Sequence, residues 1–302
     1  MTKQNIIIGI DIGGTNVRIG AVSQEMVLVD AVKQKSASVF TGGDAGAELS
    51  DFIADYIAGL DGTASAIAIG FPSTLDRARR AVISTPNVKG LDNIPVVALL
   101  EQRFGIPVVI EKDACMLLYN DIHQHRLPTS GVVIGCYFGT GIGNIILVDG
   151  QPIVGKDGVA GELSHIPAIG KHEKCSCGNE GCMEMYAAGR ALVTLMETTY
   201  PETPIGDVFK VHGDEAPVHR LIDNMAIVVA IEVNILNPDI VVLGGGLLGM
   251  DGFPLPLFER YIRKHARKPL PEETLKLVYS DQSAPFCGVV GAAVYAKHIL
   301  KN

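Results

Sequence analysis

Two buried strands, each ending in a glycine-rich turn, constrain the fold of this chain most. Residues 6–12 are almost all apolar and lead to the pair Gly13-Gly14. Residues 132–138 repeat that pattern and lead to the turn Gly139-Thr140-Gly141-Ile142-Gly143. Each strand is followed by a strand meander and then by alternating strand and helix patterns. We therefore predict an internal duplication, with two α/β domains that face each other across a cleft.

Apolar periodicity places the remaining secondary structure. Strands are expected at 17–22, 27–33, 66–69, 107–111, 145–148, 239–243 and 275–280. Helices are expected at 44–60, 95–104, 186–200, 217–236, 254–266 and 287–300. No low-complexity segment separates the two halves, so we expect a short hinge near residues 111–115.

Composition and charge exclude several classes of protein. The 302 residues are enough for two domains of ordinary size. A net charge of −8 disfavours a nucleic-acid partner, which needs a basic face. No apolar run has the length of a transmembrane helix, and no targeting segment is recognisable before the first strand. We therefore expect a cytoplasmic protein with no membrane or nucleic-acid partner.

The segment 161–184 combines one histidine with three closely spaced cysteines. A closed tetrahedral zinc site, which is structural rather than catalytic, is predicted from these four residues. They are His165, Cys175, Cys177 and Cys182. His172 is the alternative fourth ligand. A disulfide or free thiols are the alternatives for the cysteines, although six cysteines in 302 residues do not suggest a disulfide framework.

Two acids, Glu162 and Glu184, flank the predicted zinc ligands. A rigid metal site would fix both carboxylates in the geometry that hydrogen bonding to a polyol requires.

The glycine-rich turns predict phosphate binding, because glycine lets backbone N–H groups approach phosphate oxygens closely. The first two turns also carry the hydroxyls of Thr15 and Thr140, and a third, 244–246, follows a later strand. A tight β-turn is the alternative for any one of them. The P-loop pattern is absent, and a dinucleotide fingerprint at Gly244, Gly246 and Gly249 is disfavoured because prolines delay the helix that should follow.

Two aspartates at predicted strand ends are candidates for chemistry. Asp11 lies beside the first glycine pair, where a carboxylate could bind Mg²⁺ or its waters. Asp113 lies at the presumed hinge, where it could take the proton of an attacking hydroxyl. A helix N-cap is the alternative role for either residue.

Together these motifs resemble the ROK family of sugar kinases, which have the hexokinase-like, actin-like ATPase fold. The resemblance covers essentially the whole chain, and the cysteine-rich segment is its most specific part. The motifs that carry it are Asp11-Ile12-Gly13-Gly14-Thr15 with Arg18, Gly70-Phe71-Pro72, Thr85-Pro86-Asn87, Glu111-Lys112-Asp113-Ala114, the turn at 139–143, Gly161-Glu162 with His165, the segment 175–184 and Leu243-Gly244-Gly245-Gly246.

The resemblance implies a role for each matching residue. Asp113 would be the general base, and Asn87, Glu162, His165 and Glu184 would contact the sugar together with it. His165 would also bind zinc through its other ring nitrogen. The residues expected around the phosphates and Mg²⁺ are Asp11, Gly13, Gly14, Thr15, Thr140 and Gly141. The residues expected beside the adenosine are Gly244, Gly245 and Gly246.

The family likeness also suggests the domain limits and the assembly. A small N-terminal domain of residues 1–112 would be joined by the C-terminal helix at about 287–302. A large domain of residues 113–286 would contain the zinc knuckle. ATP, Mg²⁺ and structural Zn²⁺ are the implied cofactors, and the implied assembly is a homodimer.

Several residues depart from the family pattern on the sugar side. Lys112 and Ser73 replace an asparagine and a glycine near the sugar, Ser164 precedes the histidine, and Asn144 lies in the second turn. Within the family, the stretches 83–87, 165–167 and 268–271 resemble the D-allose kinase branch.

The resemblance therefore implies phosphorylation of a hexose, with the 6-hydroxyl as the expected acceptor. D-allose, D-glucose and N-acetylmannosamine are the candidate sugars. The alternative function is a sugar-binding sensor or regulator of the same family. Because the first strand begins at about residue 5, no DNA-binding domain is expected before it.

Overall fold

The computed structural model describes residues 4–85, 88, 90–281 and 284–301, which form two compact units. The first unit comprises the described residues up to Pro128, Val154–Ala160 and the described residues from Ala284 onward. The second comprises Thr129–Ile153 and the described residues from Gly161 to 281. Among the residues described, no helix has both the length and the apolar character needed to cross a membrane.

The first unit contains a five-stranded sheet and a short hairpin. Its strands are β1 (Asn5–Ile12), β2 (Asn16–Ser23), β3 (Leu28–Lys35), β4 (Thr63–Phe71), β5 (Thr74–Leu75), β6 (Val82–Ser84) and β7 (Val108–Lys112). The order in the sheet is β3-β2-β1-β4-β7, and β5 pairs with β6. The central strand β1 pairs antiparallel with β2 and parallel with β4.

The second unit contains another five-stranded sheet. Its strands are β8 (Val132–Phe138), β9 (Ile142–Val148), β10 (Gln151–Pro152), β11 (Ile240–Gly244) and β12 (Leu277–Tyr279). The order is β10-β9-β8-β11-β12, in which β8 pairs antiparallel with β9 and parallel with β11. The two sheets therefore share one connectivity, as the predicted duplication requires.

Helices occur in both units. They are α1 (Ser36–Val39), α2 (Ala45–Ala58), α3 (Val96–Phe104), α4 (Asp113–His125), α5 (Glu184–Ala187), α6 (Gly189–Thr199), α7 (Val208–His212), α8 (Ala216–Leu236), α9 (Leu255–His265) and α10 (Cys287–Ile299). Short 3₁₀ helices span Leu163–His165, Ile205–Asp207 and Glu272–Thr274. Two helix ends are explained by the residues next to them. The Asp44 side chain caps the N-terminus of α2, and Gly105 ends α3 in the left-handed conformation.

The core of the first unit lies on both faces of its sheet. Helices α2 and α3 belong to one apolar cluster with β1 and β4. Helix α10 packs against β1, β4 and α4. The approach of α10 to α4 is so close that a Cβ at Gly291 would overlap the Met116 backbone. Because helices cover both faces, β1 is apolar at almost every position.

The core of the second unit is centred on the long helix α8. Its buried residues join those of β8, β11 and α9 in one apolar cluster. Phe138 and Phe258 meet edge to face in this cluster, with ring centroids 5.8 Å apart. The apolar character of α8 is thus explained by burial within its own unit.

Most predicted elements are present within a few residues of their expected limits. The hinge expected near 111–115 stays a prediction. There, β7 runs directly into α4, a helix absent from the predictions. The helix expected at 186–200 is divided at Ala188 into α5 and α6.

The first compact unit extends beyond residue 112, the expected limit of the small domain, because α4 packs against α10. Helix α10 belongs to this unit, although it follows the second unit in the chain. The domain limits 1–112 and 113–286 stay a prediction.

Candidate functional site

Asp113 is the first residue of α4, directly after the last residue of β7. Its Oδ1 accepts a hydrogen bond from the backbone N–H of Ala114 at 2.7 Å. Withdrawal from water and the negative charge of Asp11 raise the pKa of Asp113 to about 7, against smaller opposite effects of the Ala114 N–H and Lys112. A carboxylate with this pKa can accept a proton from a hydroxyl near neutral pH.

Asp11 lies near the end of β1, opposite Arg18 of β2 in the antiparallel register. Arg18 Nη1 donates to Asp11 Oδ2 at 2.9 Å. Burial raises the pKa of Asp11, and the charge and hydrogen bond of Arg18 partly oppose this. The start of α10 packs on the carboxyl group, since a Cβ at Gly288 would lie 2.8 Å from Asp11 Cγ. Asp11 is therefore held in one place by β2 and α10.

The first glycine-rich turn, residues 13–16, is closed by backbone and side-chain hydrogen bonds. The Gly13 N–H donates to Asn16 O at 2.9 Å, and Ser36 Oγ donates to Gly13 O at 2.6 Å. Gly14 and Thr15 are exposed, although Thr15 O accepts a hydrogen bond from the Ser36 N–H at 2.9 Å.

The second turn, residues 139–141, lies at the start of α6. Gly189 N–H donates to Gly139 O at 2.8 Å, and Arg190 N–H donates to Thr140 O at 3.2 Å. Thr140 is exposed. The Glu184 carboxyl group lies directly against the turn, because a Cβ at Gly141 would be 3.1 Å from Glu184 Cδ. The structure thus places Glu184, predicted as a sugar contact, beside a predicted phosphate turn of its own unit.

The third turn, residues 244–246, packs on the end of β8. Gly245 has φ +99°, and a Cβ there would lie 2.5 Å from the carbonyl carbon of Phe138. Leu247 N–H donates to Phe138 O at 2.9 Å. Phe138 immediately precedes the second turn, so the second and third turns are fixed to each other through one residue.

The four predicted zinc ligands meet at one point of the second unit. Their potential ligand atoms, one from each of His165, Cys175, Cys177 and Cys182, all lie within 4.8 Å of one another. His165 Nδ1 is 3.6 Å from Cys175 Sγ, and Cys177 Sγ is 3.6 Å from Cys182 Sγ. These separations and this donor set fit tetrahedral zinc. His172 is not part of the group.

The second ring nitrogen of His165 faces the acid beside the zinc segment. Nε2 lies 3.9 Å from Glu162 Oε2, whereas Nδ1 faces the cysteines. The imidazole therefore connects the metal ligands to Glu162. A metal bound at Nδ1 would fix the ring and leave Nε2 to interact with a ligand on the Glu162 side.

Asn87 lies outside the described residues, so its predicted sugar contact is not tested. Its neighbour Thr85 is buried and forms a hydrogen bond of 2.7 Å with Ser73. Asn144 is also buried, and its Nδ2 donates to Gly135 O at 3.2 Å and to Glu232 Oε2 at 2.8 Å. Asn144 therefore contributes its side chain to the core rather than to the second turn.

Two acids that are buried in the structure were assigned no structural role from the sequence. Glu111 pairs with Arg79 at 2.7 Å, and this contact could not be predicted because the two residues lie far apart in the chain. Glu232 could have been noticed as a lone acid within the apolar run of α8. Burial raises its pKa to about 7, although hydrogen bonds from Asn144 and Cys136 oppose the shift.

Comparison with known proteins covers almost the whole chain. Residues 7–299 match the ROK family. This chain belongs to the ROK family. It is 26% identical over 261 residues to a glucokinase from Thermotoga maritima, covering 80% of this chain and 82% of the relative. It is 31% identical over 262 residues to an N-acetyl-D-glucosamine kinase from Vibrio parahaemolyticus, covering 79% and 83%.

A solved structure extends the likeness to three dimensions. A ROK family glucokinase from Streptomyces griseus, in complex with glucose and AMPPNP, matches with a TM-score of 0.76 at 25% identity. The match covers 97% of this chain and 99% of that chain. The predicted ROK family, its actin-like ATPase fold and its class of activity, an ATP-dependent sugar kinase, are therefore confirmed. The likeness to D-allose kinases in particular stays a prediction.

Proposed function

We propose that this ROK family protein transfers the γ-phosphoryl group of MgATP to the 6-hydroxyl of a free hexose or N-acetylhexosamine. The observation that carries the proposal is Asp113, a carboxyl group at a strand-to-helix junction whose pKa is raised to about 7. The relatives are kinases of glucose and N-acetyl-D-glucosamine. D-allose and N-acetylmannosamine remain candidate substrates from the sequence.

Asp113 is the proposed general base. Its carboxylate takes the proton of the sugar hydroxyl as the oxygen attacks phosphorus, and ADP leaves. Phosphoryl transfer depends mainly on positioning and charge stabilisation, so one base of this strength is sufficient. The Ala114 N–H bond to Oδ1 fixes the carboxylate and leaves Oδ2 to face the hydroxyl.

The proposed sugar contacts are Asn87, Glu162, His165 and Glu184. Support comes from the arrangement of His165, which presents Nε2 toward Glu162 while Nδ1 faces the cysteines. A carboxylate and an imidazole nitrogen together can orient two neighbouring hydroxyls. Structural zinc, bound by His165, Cys175, Cys177 and Cys182, stabilises this segment.

The proposed phosphate and Mg²⁺ site uses Asp11 and the first two turns. Asp11 offers a hard oxygen ligand suited to Mg²⁺ or its waters. Gly13, Gly14, Thr15, Thr140 and Gly141 supply backbone and hydroxyl donors. Bound Mg²⁺ neutralises charge on the phosphates during transfer. The adenosine lies beside Gly244, Gly245 and Gly246.

A homodimer in the cytoplasm, without nucleic acid as a partner, is proposed from the family likeness and the net charge of −8. The sensor or regulator alternative is not favoured, because the curated relatives described above are kinases.

A coupled assay of ADP release tests the function. Purified protein with MgATP is offered D-glucose, N-acetyl-D-glucosamine, N-acetylmannosamine and D-allose separately, and each product is analysed for the position of the phosphate. We expect sugar-dependent ADP release and a 6-phosphate. ADP release that no sugar stimulates would exclude the proposal.

A further inference from the structure

Residues 154–160 form a closed loop that belongs to the first unit, although the second unit flanks it in the chain. Ala160 N–H donates to Val154 O at 3.1 Å and closes the loop. Its tip, residues 156 and 157, is exposed, whereas Gly158 is buried. The loop continues directly into Gly161 and Glu162, where the proposed sugar-binding segment begins.

Gly158 fits tightly against the connection between β5 and β6. Its φ is +84°, and a Cβ there would lie 2.5 Å from Leu75 O and 3.2 Å from Arg77 N. Only glycine combines this backbone conformation with so close an approach. The loop therefore lies with its backbone, not a side chain, against the hairpin.

Arg79 connects the loop to the end of β7. Its Nε donates to Glu111 Oε2 at 2.7 Å. Its Nη1 donates to Gly158 O at 3.0 Å and to Asp76 O at 3.1 Å. The planar guanidinium group thus contacts the Glu111 carboxylate and two backbone carbonyls at once, which a lysine ammonium at the end of a flexible chain cannot reproduce.

Glu111 links Arg79 to the residue that precedes the proposed base, Asp113. It is only 1% exposed, and its Oε1 accepts from the Lys112 N–H at 2.9 Å. Lys112 precedes Asp113, and its Nζ donates to Ala160 O at 3.4 Å. Two cationic side chains therefore bind carbonyl groups of the loop. Lys112 is the last residue of β7, and Arg79 lies between β5 and β6 and pairs with Glu111 of β7.

We infer that Arg79 is a positioning residue of the kinase reaction. It fixes the loop 154–160 to the end of β7, and so fixes the point from which the chain continues to Glu162. The inference rests on the proposed function, since it assigns sugar binding to the segment after the loop. Arg79 itself need not touch the sugar or ATP.

The test compares Arg79→Lys with Arg80→Lys. The first variant keeps a positive charge beside Glu111, which would otherwise be buried without a partner, but loses the simultaneous contact with Gly158 O. Arg80 is the matched control, because it is the next residue, is 55% exposed at its side chain and pairs with Glu101 at 2.9 Å. Steady-state kinetics are measured with D-glucose and with N-acetyl-D-glucosamine.

We expect Arg79→Lys to raise the KM for the sugar by about tenfold, the equivalent of one charged hydrogen bond, and to leave the KM for ATP within about twofold. Arg80→Lys should match the wild type. Hydrogen exchange of the loop amides should become about tenfold faster in Arg79→Lys only. Equal kinetics and equal exchange in the two variants would overturn the inference.

A second variant reaches the same contact from the loop. Gly158→Ala should also raise the KM for the sugar. Adding Arg79→Lys to it should cause little further change, because both substitutions disrupt the same contact between Arg79 and the loop. Independent, additive effects would contradict this. If the wild type phosphorylates no sugar, the proposed function fails, whereas the exchange measurement still decides whether Arg79 holds the loop.

Discussion

The two sheets have the same connectivity but carry different chemistry next to their glycine-rich turns. In the first unit, the cross-strand pairs of β1 and β2 can be counted back from the turn. The second of these pairs is Asp11 opposite Arg18, two charged side chains. The corresponding pair in the second unit is Tyr137 with Gly143. The first unit thus carries charged side chains on the two strands that its turn connects, whereas the acid beside the second turn, Glu184, comes from a helix.

At the third cross-strand pair from the turn, the polar side chains lie in the second unit instead of the first. There the first unit has Ile10 opposite Ile19, both fully buried. The second has Cys136 opposite Asn144, and both form hydrogen bonds to Glu232. Duplicating a backbone therefore did not duplicate its chemistry. An acid at the turn can serve catalysis, while an acid of α8 that is buried against the sheet affects mainly stability.

The strongest test of this contrast is Asp113→Asn in the first unit. An amide cannot accept the hydroxyl proton, so we expect kcat to fall about 10²–10⁴-fold while sugar binding, measured by calorimetry, is retained. Wild-type kcat/KM should fall as the pH is lowered through about 7, because the base must be deprotonated. A variant with wild-type kcat would show that another group is the base.

Zinc removal tests the segment that has no counterpart among the described residues of the first unit. We expect Cys175→Ser to release zinc, lower the free energy of unfolding by several kcal/mol and raise the sugar KM about tenfold or more, because His165 loses its fixed orientation. His172→Ala is the control and should retain zinc. An unchanged sugar KM in a folded, zinc-free protein would separate the metal from sugar binding.

Glu232→Gln tests the buried acid of α8 that accepts hydrogen bonds from the second sheet. The pKa of Glu232 is raised from 4.5 to about 7, so the folded state binds its proton more tightly than the unfolded state. The contribution of this group to the free energy of unfolding is complete below pH 4.5. It is lost as the pH rises toward 7, and the total loss is about 3 kcal/mol. Denaturation at several pH values should show a flatter profile for Glu232→Gln. Identical profiles would mean that Glu232 titrates normally.

The smallest expected effects concern the two threonines of the turns. Thr15→Ala and Thr140→Ala each remove one exposed hydroxyl, so the KM for ATP should rise only a few-fold, the equivalent of about 1 kcal/mol. Unfolding temperatures should not change. A large loss in one variant alone would show that one turn carries most of the phosphate binding.

The sequence was sufficient to predict the long strands, the duplication and the group of one histidine and three cysteines, but not the short strands β5, β6 and β10. Apolar runs bounded by glycine reveal buried strands, and four soft ligands at short spacing leave few alternatives. Helix α4 was not predicted, although the residues Cys115, Met116, Tyr119 and Ile122 have helical spacing in the segment that follows the expected hinge.

Contacts between distant segments could not be predicted in the same way. Arg79 and Glu111 are 32 residues apart, and nothing in either local pattern selects the other as its partner. The same holds for Glu184 and Gly141, whose proximity depends on how α5 and α6 pack beside the second turn. Such pairs are determined by tertiary packing, which a single sequence does not display.

The position of helix α10 has a consequence for how the protein is made. During synthesis on the ribosome, the strands of the first sheet emerge early, but the helix that covers β1 and packs on α4 emerges only after the entire second unit. Until then one apolar face of the nascent first unit is open to water or to chaperones. The second unit has all of its own segments at that stage. It can therefore complete its core first, and the N-terminal unit finishes folding last.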